Sequence, residues 1–361
     1  MLRVCFYITA HGFGHASRCQ AVAEQLLARR PDAEVELRTT APGWFFDWLL
    51  DERCTLTRPA STLDPGVVQS DSFHHDIPAT LRAWQELLAR QADLVAGETA
   101  HLQRSACQVV VSDVAPLPLA AARRADLPAL AMGNFTWDWI LEGYQDREPR
   151  FAPVVDGVRR LYRQADLYLR LPLSHDTDLF NSQRHIGFTT RRSRVAPEEI
   201  RATLGLDPDH LVVLLSFGGF GVASLGLERV ERQRGVRCVW DRGPGLAPAL
   251  ISARGMGLHY PDLIRAADVI LTKPGYSIIS EAVAQRTLLA YAPRRGFRES
   301  ELLEPFLQAR WPSLAVAPNA LADGRWVDEV VPWTRARLGE PTPEIAVDGA
   351  AEAVRAIVEL A

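Results

Sequence analysis

The stretch Ala267-Asp268-Val269-Ile270-Leu271-Thr272-Lys273-Pro274-Gly275-Tyr276-Ser277-Ile278-Ile279-Ser280-Glu281 decides the reading of the fold. Its run 267–271 reads as a parallel strand buried on both faces, Pro-Gly as a turn, and the residues beyond as a helix. A helix that starts directly after a strand turns its first unpaired N–H groups toward the turn. With a cation beside them, those groups suit a phosphate or diphosphate. The cation is unusual, because of 40 Lys and Arg residues Lys273 is the single lysine. A GC-rich coding sequence would explain the arginine bias. The alternative is an ordinary Pro-Gly turn beside a leftover lysine.

Working outward, strand-like runs alternate with helical ones. Leu2–Thr9, Glu34–Thr40, Gln108–Ser112, Ala129–Met132 and Leu167–Leu173 read as strands in the first half. Leu211–Ser216, Val236–Trp240, Val269–Leu271, Leu288–Tyr291 and Leu314–Ala317 do so in the second. Between them lie amphipathic stretches such as Cys19, Val22, Ala23, Leu26 and Leu27, spaced as one face of a helix. The alternation, run through twice, predicts an α/β chain of two doubly wound, Rossmann-like parallel-sheet domains. The expected division is 1–188, 189–344 and a terminal helix at 345–361, which could dock on either domain. The basic run Arg191-Arg192-Ser193-Arg194 reads as a solvated linker between them.

A chain of 361 residues, 47% hydrophobic and 23% charged, is long enough for two cores. Its net charge of −4 argues against a general nucleic-acid binder. The cysteines at 5, 19, 54, 107 and 238 form no CxxC pair, the usage of a reducing compartment. No leader and no stretch near the ~20 apolar residues of a membrane span is apparent, so a cytoplasmic location is expected.

Three glycine-bearing turns carry the candidate chemistry. In His11-Gly12-Phe13-Gly14-His15-Ala16-Ser17-Arg18, Gly12 and Gly14 would let backbone approach a ligand. His15 could serve there as a general base, or simply cap the helix. In Ser216-Phe217-Gly218-Gly219-Phe220-Gly221 the amides of Gly218 and Gly219 could cradle phosphate oxygens, and no Gly-Lys-Ser/Thr makes it a P-loop. The third turn is that of Lys273, Gly275, Tyr276 and Ser277. Glu281, about a turn and a half into its helix, could take both hydroxyls of a ribose, or be an ordinary surface glutamate.

Asp113, after Val109–Val111, should be exposed at the carboxyl ends of the strands, as a second catalytic candidate or as the N-cap of a helix at 116–124. Asn134 and Trp137 lie in an aromatic segment that fits sugar stacking or interior packing. Asp71, His74, His75 and Asp76 suggest an acceptor lip or plain surface more than a metal site.

These segments together resemble the GT-B glycosyltransferases. Lys273-x-Gly275-Tyr276-Ser277-x-x-x-Glu281 looks like their nucleotide-sugar signature, and Gly14-His15 resembles the end of the glycine loop in the peptidoglycan-type (family 28) enzymes. With Val111–Pro116, Gly133–Asp138, Arg298–Glu301 and Glu304–Leu307, the resemblance is greatest to the glycosyltransferase-like half of plant L-arabinokinase, over about residues 3–320. It implies a GT-B fold with acceptor binding in the first domain and nucleotide-sugar binding in the second, and a stand-alone protein without the kinase half.

By this likeness, Gly218, Gly219, Lys273 and Ser277 would face the diphosphate, Glu281 the ribose and Glu299 (or Glu301) the donor sugar. His15 would be the base, with Asp113 orienting it, and Gly12, Gly14, Asn134 and Trp137 would lie on the acceptor side. Arg294 and Arg295 are expected to be solvated. Neither a cofactor nor a metal is expected beyond the nucleoside-diphosphate sugar itself, expected to be UDP-linked. Ser277 departs from the glycine frequent in relatives. The implied activity is an inverting sugar transfer to an unidentified small-molecule acceptor. The alternatives are an NDP-sugar epimerase or hydrolase, or a nucleotide-sugar-binding module without turnover.

Overall fold

The computed structural model describes residues 1–69, 74–217, 225–241 and 249–361. They fall into two compact units, one running through Thr190 and including Ala346–Ala361, the other spanning Arg191–Ile345. Gly218 and Gly219, and Asp71 of the Asp/His group, lie outside the described residues.

In the first unit the strands are β1 (Leu2–Ile8), β2 (Ala33–Arg38), β3 (Cys54–Thr57), β4 (Val109–Asp113), β5 (Ala129–Gly133), β6 (Leu167–Arg170) and β7 (Gln183–His185). They form one parallel sheet in the order β3-β2-β1-β4-β5-β6-β7. Its helices are α1 (Phe13–Arg29), α2 (Ile77–Ala89), α3 (Gln91–Ser105), α4 (Leu117–Arg124), α5 (Trp137–Glu142) and α6 (Ala152–Tyr162). The β-branched run Val109-Val110-Val111 is fully buried, as a central strand covered on both faces requires.

The second unit holds β8 (Leu211–Ser216), β9 (Val236–Trp240), β10 (Leu250–Ser252), β11 (Val269–Thr272), β12 (Leu288–Tyr291) and β13 (Ser313–Ala315). Its sheet order is β10-β9-β8-β11-β12-β13. Its helices are α7 (Pro197–Thr203), α8 (Leu227–Glu231), α9 (Tyr260–Ala266), α10 (Tyr276–Gln285), α11 (Ser300–Arg310), α12 (Pro318–Ala322) and α13 (Trp326–Arg335). The buried Trp326 anchors its core and donates Nε1–H to the Leu225 carbonyl at 2.8 Å.

The last helix, α14 (Gly349–Leu360), packs on the first unit. Ala353, Val354, Ala356 and Ile357 join the core formed by α1 and the inner face of β1. Glu352 ties it down by accepting the Gly187 amide at 2.6 Å. The edge strands β3, β7 and β10 escape the sequence reading; all are short, and Cys54–Thr57 and Gln183–His185 carry no continuous apolar run. The Gln183-Arg184-His185 strand is also wholly exposed and polar, as suits a protected sheet edge. No described helix is long and apolar enough to cross a membrane.

In each sheet the strand order reverses beside the first strand, and ligands of open α/β sheets bind outside the carboxyl ends there. In the first unit Ile8 pairs with Asp113, and in the second Thr272 pairs with Ser216. The glycine-bearing turns therefore follow the strand ends that flank the two reversal points.

Candidate functional site

In the first unit, Gly12 takes φ 89° at the start of α1, a conformation that glycine adopts without Cβ strain. Gly14 is the second residue of that helix and His15 the third. His15 makes no capping bond, being drawn inward and buried. Its Nδ1 lies 2.9 Å from Asp113 Oδ1. One turn further along the same face, Arg18 donates Nε–H to Asp113 Oδ2 at 2.7 Å and Nη1–H to Asn134 Oδ1 at 2.6 Å. Asn134 in turn donates to the Pro172 carbonyl at 2.7 Å. The Cys19 thiol completes the ring of donors around Asp113.

Asp113 is completely buried, not exposed as the sequence suggested. Nor does it cap α4, whose N-cap is Pro116 with no side-chain bond. The reason is Arg18, which the sequence reading left without a role although its i+3 spacing from His15 puts both on one helix face. Burial alone would push the Asp113 carboxyl up. The charges of Arg18 and His15 and their hydrogen bonds outweigh it and hold the group at about 2. Burial and then the Arg18 charge lower the His15 pKa, and Asp113 only partly offsets them.

The Arg18 Nη2 also lies 2.7 Å from His15 Nδ1, a contact that calls for the opposite tautomer. The adjacent carboxylate favours the proton on Nδ1, since Nη2 has Asp113 Oδ1 as a second acceptor. Nε2 is then the basic nitrogen. Directly after Asp113, Val114 has φ 61°, an outlying conformation for a β-branched residue, held by its amide bond to Met132 O at 3.1 Å.

Trp137 is not an open stacking surface. It is 1% exposed, with Trp84, Phe135 and His11 packed around its ring. Its Nε1–H donates to Asp64 Oδ2 at 2.5 Å, and Asp64 Oδ1 accepts the Gly66 amide at 2.8 Å. Gly66 has φ 62°, and a Cβ there would meet the His11 ring at 2.4 Å. Asp64 therefore fastens the segment around Gly66 to Trp137 of α5. A cleft beside it is lined by Thr9, Arg38, Thr40, Thr62 and Asp64. Of the Asp/His group, Asp76 caps α2 by accepting the Ala79 amide at 2.8 Å, and His75 packs edge-on against Tyr144.

In the second unit, Lys273 is half-buried in the turn after β11, and Gly275 is the extended N-cap of α10. Tyr276 is buried at the helix start and Ser277 half-buried in its first turn. Glu281 is 3% exposed, so it is no surface residue. Arg191 converges on it, with Nε 2.9 Å and Nη2 2.8 Å from Oε1. Arg191 is 5% exposed, which corrects the reading of 191–194 as a wholly solvated linker. Burial raises the Glu281 pKa, and Arg191 opposes the rise without cancelling it.

Tyr260, at the start of α9, hydrogen-bonds Ser216 at the end of β8 and lies within the field of Glu281. Glu299 stands half-buried before α11, and Glu301 is exposed. Arg294 is buried with its guanidinium 3.3 Å from the centre of the Phe297 ring, against the solvated expectation, whereas Arg295 is exposed.

No family model matches the chain. It is 28% identical over 331 residues to L-arabinokinase of Arabidopsis thaliana, a match that covers 89% of this chain and 31% of that protein. The chain thus spans about a third of that relative. It is 24% identical over 289 residues to an uncharacterized glycosyltransferase of Methanopyrus kandleri, covering 73% of this chain and 80% of that protein.

Among solved structures, a UDP-glucosyltransferase from Polygonum tinctorium superposes with TM-score 0.63 at 14% identity, over 99% of this chain and 98% of that one. The calicheamicin glycosyltransferase CalG4 gives 0.60 at 17%, over 99% and 94%. MurG of Acinetobacter baumannii gives 0.57 at 14%, over 99% and 100%. The chain has the GT-B fold.

Proposed function

We propose that the protein transfers a sugar from a nucleoside-diphosphate sugar, with a uridine nucleotide as the leading candidate, to a hydroxyl of a small-molecule acceptor. The observation that carries this reading is the His15–Asp113 pair at the reversal point of the first sheet, a neutral imidazole backed by an ionised carboxylate. Such a pair suits a general base. The acceptor hydroxyl gives its proton to His15 Nε2, and its oxygen attacks the anomeric carbon. The bond from that carbon to the diphosphate breaks, and the electron pair leaves with the nucleoside diphosphate.

Attack opposite the leaving group inverts the anomeric centre. In the second unit, Lys273 and the first-turn amides of α10 meet the leaving group's charge in place of a metal ion. Glu281 takes the ribose hydroxyls and Glu299 those of the donor sugar.

Calorimetric titration of nucleoside diphosphates and their sugars into wild type and Glu281→Ala tests the donor half. Acceptor-dependent release of nucleoside diphosphate tests the transfer. Binding by wild type that is weakened in the variant supports the donor site, whereas a folded wild type that binds no nucleotide would remove it. Hydrolysed or epimerised sugar without any acceptor would favour the other enzymatic reading.

A further inference from the structure

The Arg191–Glu281 pair joins the first residue of the second unit to the middle of α10. Both guanidinium contacts fall on Oε1, and among the described residues Oε2 accepts no hydrogen bond. A carboxylate this deeply buried loses much of its hydration, which favours the protonated form. A protonated Glu281 would be a poor acceptor for two hydroxyl groups.

We infer that Arg191 is a positioning residue, which fixes Oε1 and keeps Glu281 ionised so that Oε2 remains to accept the vicinal hydroxyls of a nucleotide ribose. The inference rests on the donor-site reading above. It adds a further residue to that site, one that acts on the nucleotide only through the carboxylate.

Among the described residues, the titratable and charged groups facing Glu281 are Arg191, from the segment before α7, and Tyr260, from α9. Asp241, at the end of β9, acts on Tyr260 in turn. Tyr260 is buried, with its phenol pKa pushed up, so it stays neutral across the working range and leaves Arg191 as the cation that sets the state of Glu281. An arginine suits the place, because its charge persists at any working pH while a buried lysine gives up its proton readily.

Two measurements on the full chain test this. The first follows the Glu281 carboxyl by NMR titration of ligand-free wild type, Arg191→Lys and Arg191→Ala, assigned with Glu281→Gln. The Glu281 midpoint should rise by at least one pH unit in Arg191→Ala and return most of the way in Arg191→Lys. The second measures UDP affinity from pH 5 to 9. The acid-side loss of binding should move upward with the carboxyl midpoint in Arg191→Ala, and should vanish in Glu281→Gln, whose affinity is low throughout.

A folded Arg191→Ala protein with unchanged midpoint and unchanged pH dependence would overturn the inference. If Arg191→Ala does not fold, Arg191→Gln decides, since a folded Gln variant with unchanged midpoint and unaltered affinity at every pH would overturn the inference. If wild type binds no UDP while the carboxyl midpoint still shifts, the donor-site reading fails and the electrostatic pairing stands.

Discussion

Arg18 and Asp113 form a fully enclosed ion pair at the reversal point of the first sheet, with Nε donating to Oδ2 at 2.7 Å and neither side chain more than 4% exposed. An unpaired buried charge is costly, so the pair is strongly interdependent. Removing the cation by Arg18→Ala should cost about 3–5 kcal/mol in urea unfolding, and Asp113→Asn should cost a similar amount. The Asp113 carboxyl lies at about 2 in the folded state, below an ordinary value of roughly 3.9. Its contribution is therefore complete above pH ~4 and is lost as the pH falls through about 2, amounting to roughly 2–3 kcal/mol. In Arg18→Ala the acid loss should begin at higher pH, and an unchanged acid profile would refute this account.

His15 gives a second prediction, about rate. Its folded pKa lies below the usual imidazole value, so the unfolded chain binds the proton more readily. The stability linked to it is present above about pH 6.5 and is lost as pH falls through the lowered value. For the same reason the acid limb of sugar transfer should fall below pH 6.5. His15→Gln should reduce turnover by about 10²–10⁴-fold while nucleotide affinity changes little. A variant that keeps full turnover would remove His15 as the base.

Asp64 titrates in the opposite sense. Burial raises its carboxyl to about 6, with the Trp137 indole, the Gly66 amide and Thr9 restraining the rise. Its folded pKa exceeds the unfolded value, so its contribution is full below pH ~4 and is lost as pH climbs through about 6. Trp137→Phe keeps most of the buried ring but removes the Nε1–H donor, and should raise the Asp64 midpoint by about one unit or more. Carboxyl NMR measures this directly, and a midpoint that stays near 6 would mean that the indole is not a significant partner.

The last helix supplies a test of packing. Ile357 is fully buried between α14 and the α1 side of the first sheet. Ile357→Ala should cost about 2–5 kcal/mol, since the surrounding side chains relax only partly around the lost volume. The loss should appear in the unfolding of the first unit, and an effect confined to the second unit would contradict the docking of α14.

The strands and turns that frame the candidate site were legible because their signals are local. Val109–Val111, Leu211–Leu215 and the 267–281 stretch each declare a buried strand, and a glycine-bearing turn follows two of them. The edge strand Gln183–His185 carries no apolar pattern and was missed. Sequence also placed His15, Asp113 and Asn134 among the candidates, and Lys273 and Glu281 on one turn and helix.

The amino-acid order alone determined that two Rossmann-like sheets form, because continuous apolar runs and period-3.6 patterns are properties of neighbouring residues. It could not decide what each charged side chain meets. Arg18 lies 95 residues from Asp113, and Arg191 lies 90 from Glu281, yet each pair is within hydrogen-bond reach. Only the parallel sheets bring these groups together, and only burial makes their pairing strong. The tertiary structure therefore turned Asp113 from an exposed acid into an enclosed anion, Trp137 from a sugar platform into core, and a linker arginine into the partner of a buried glutamate.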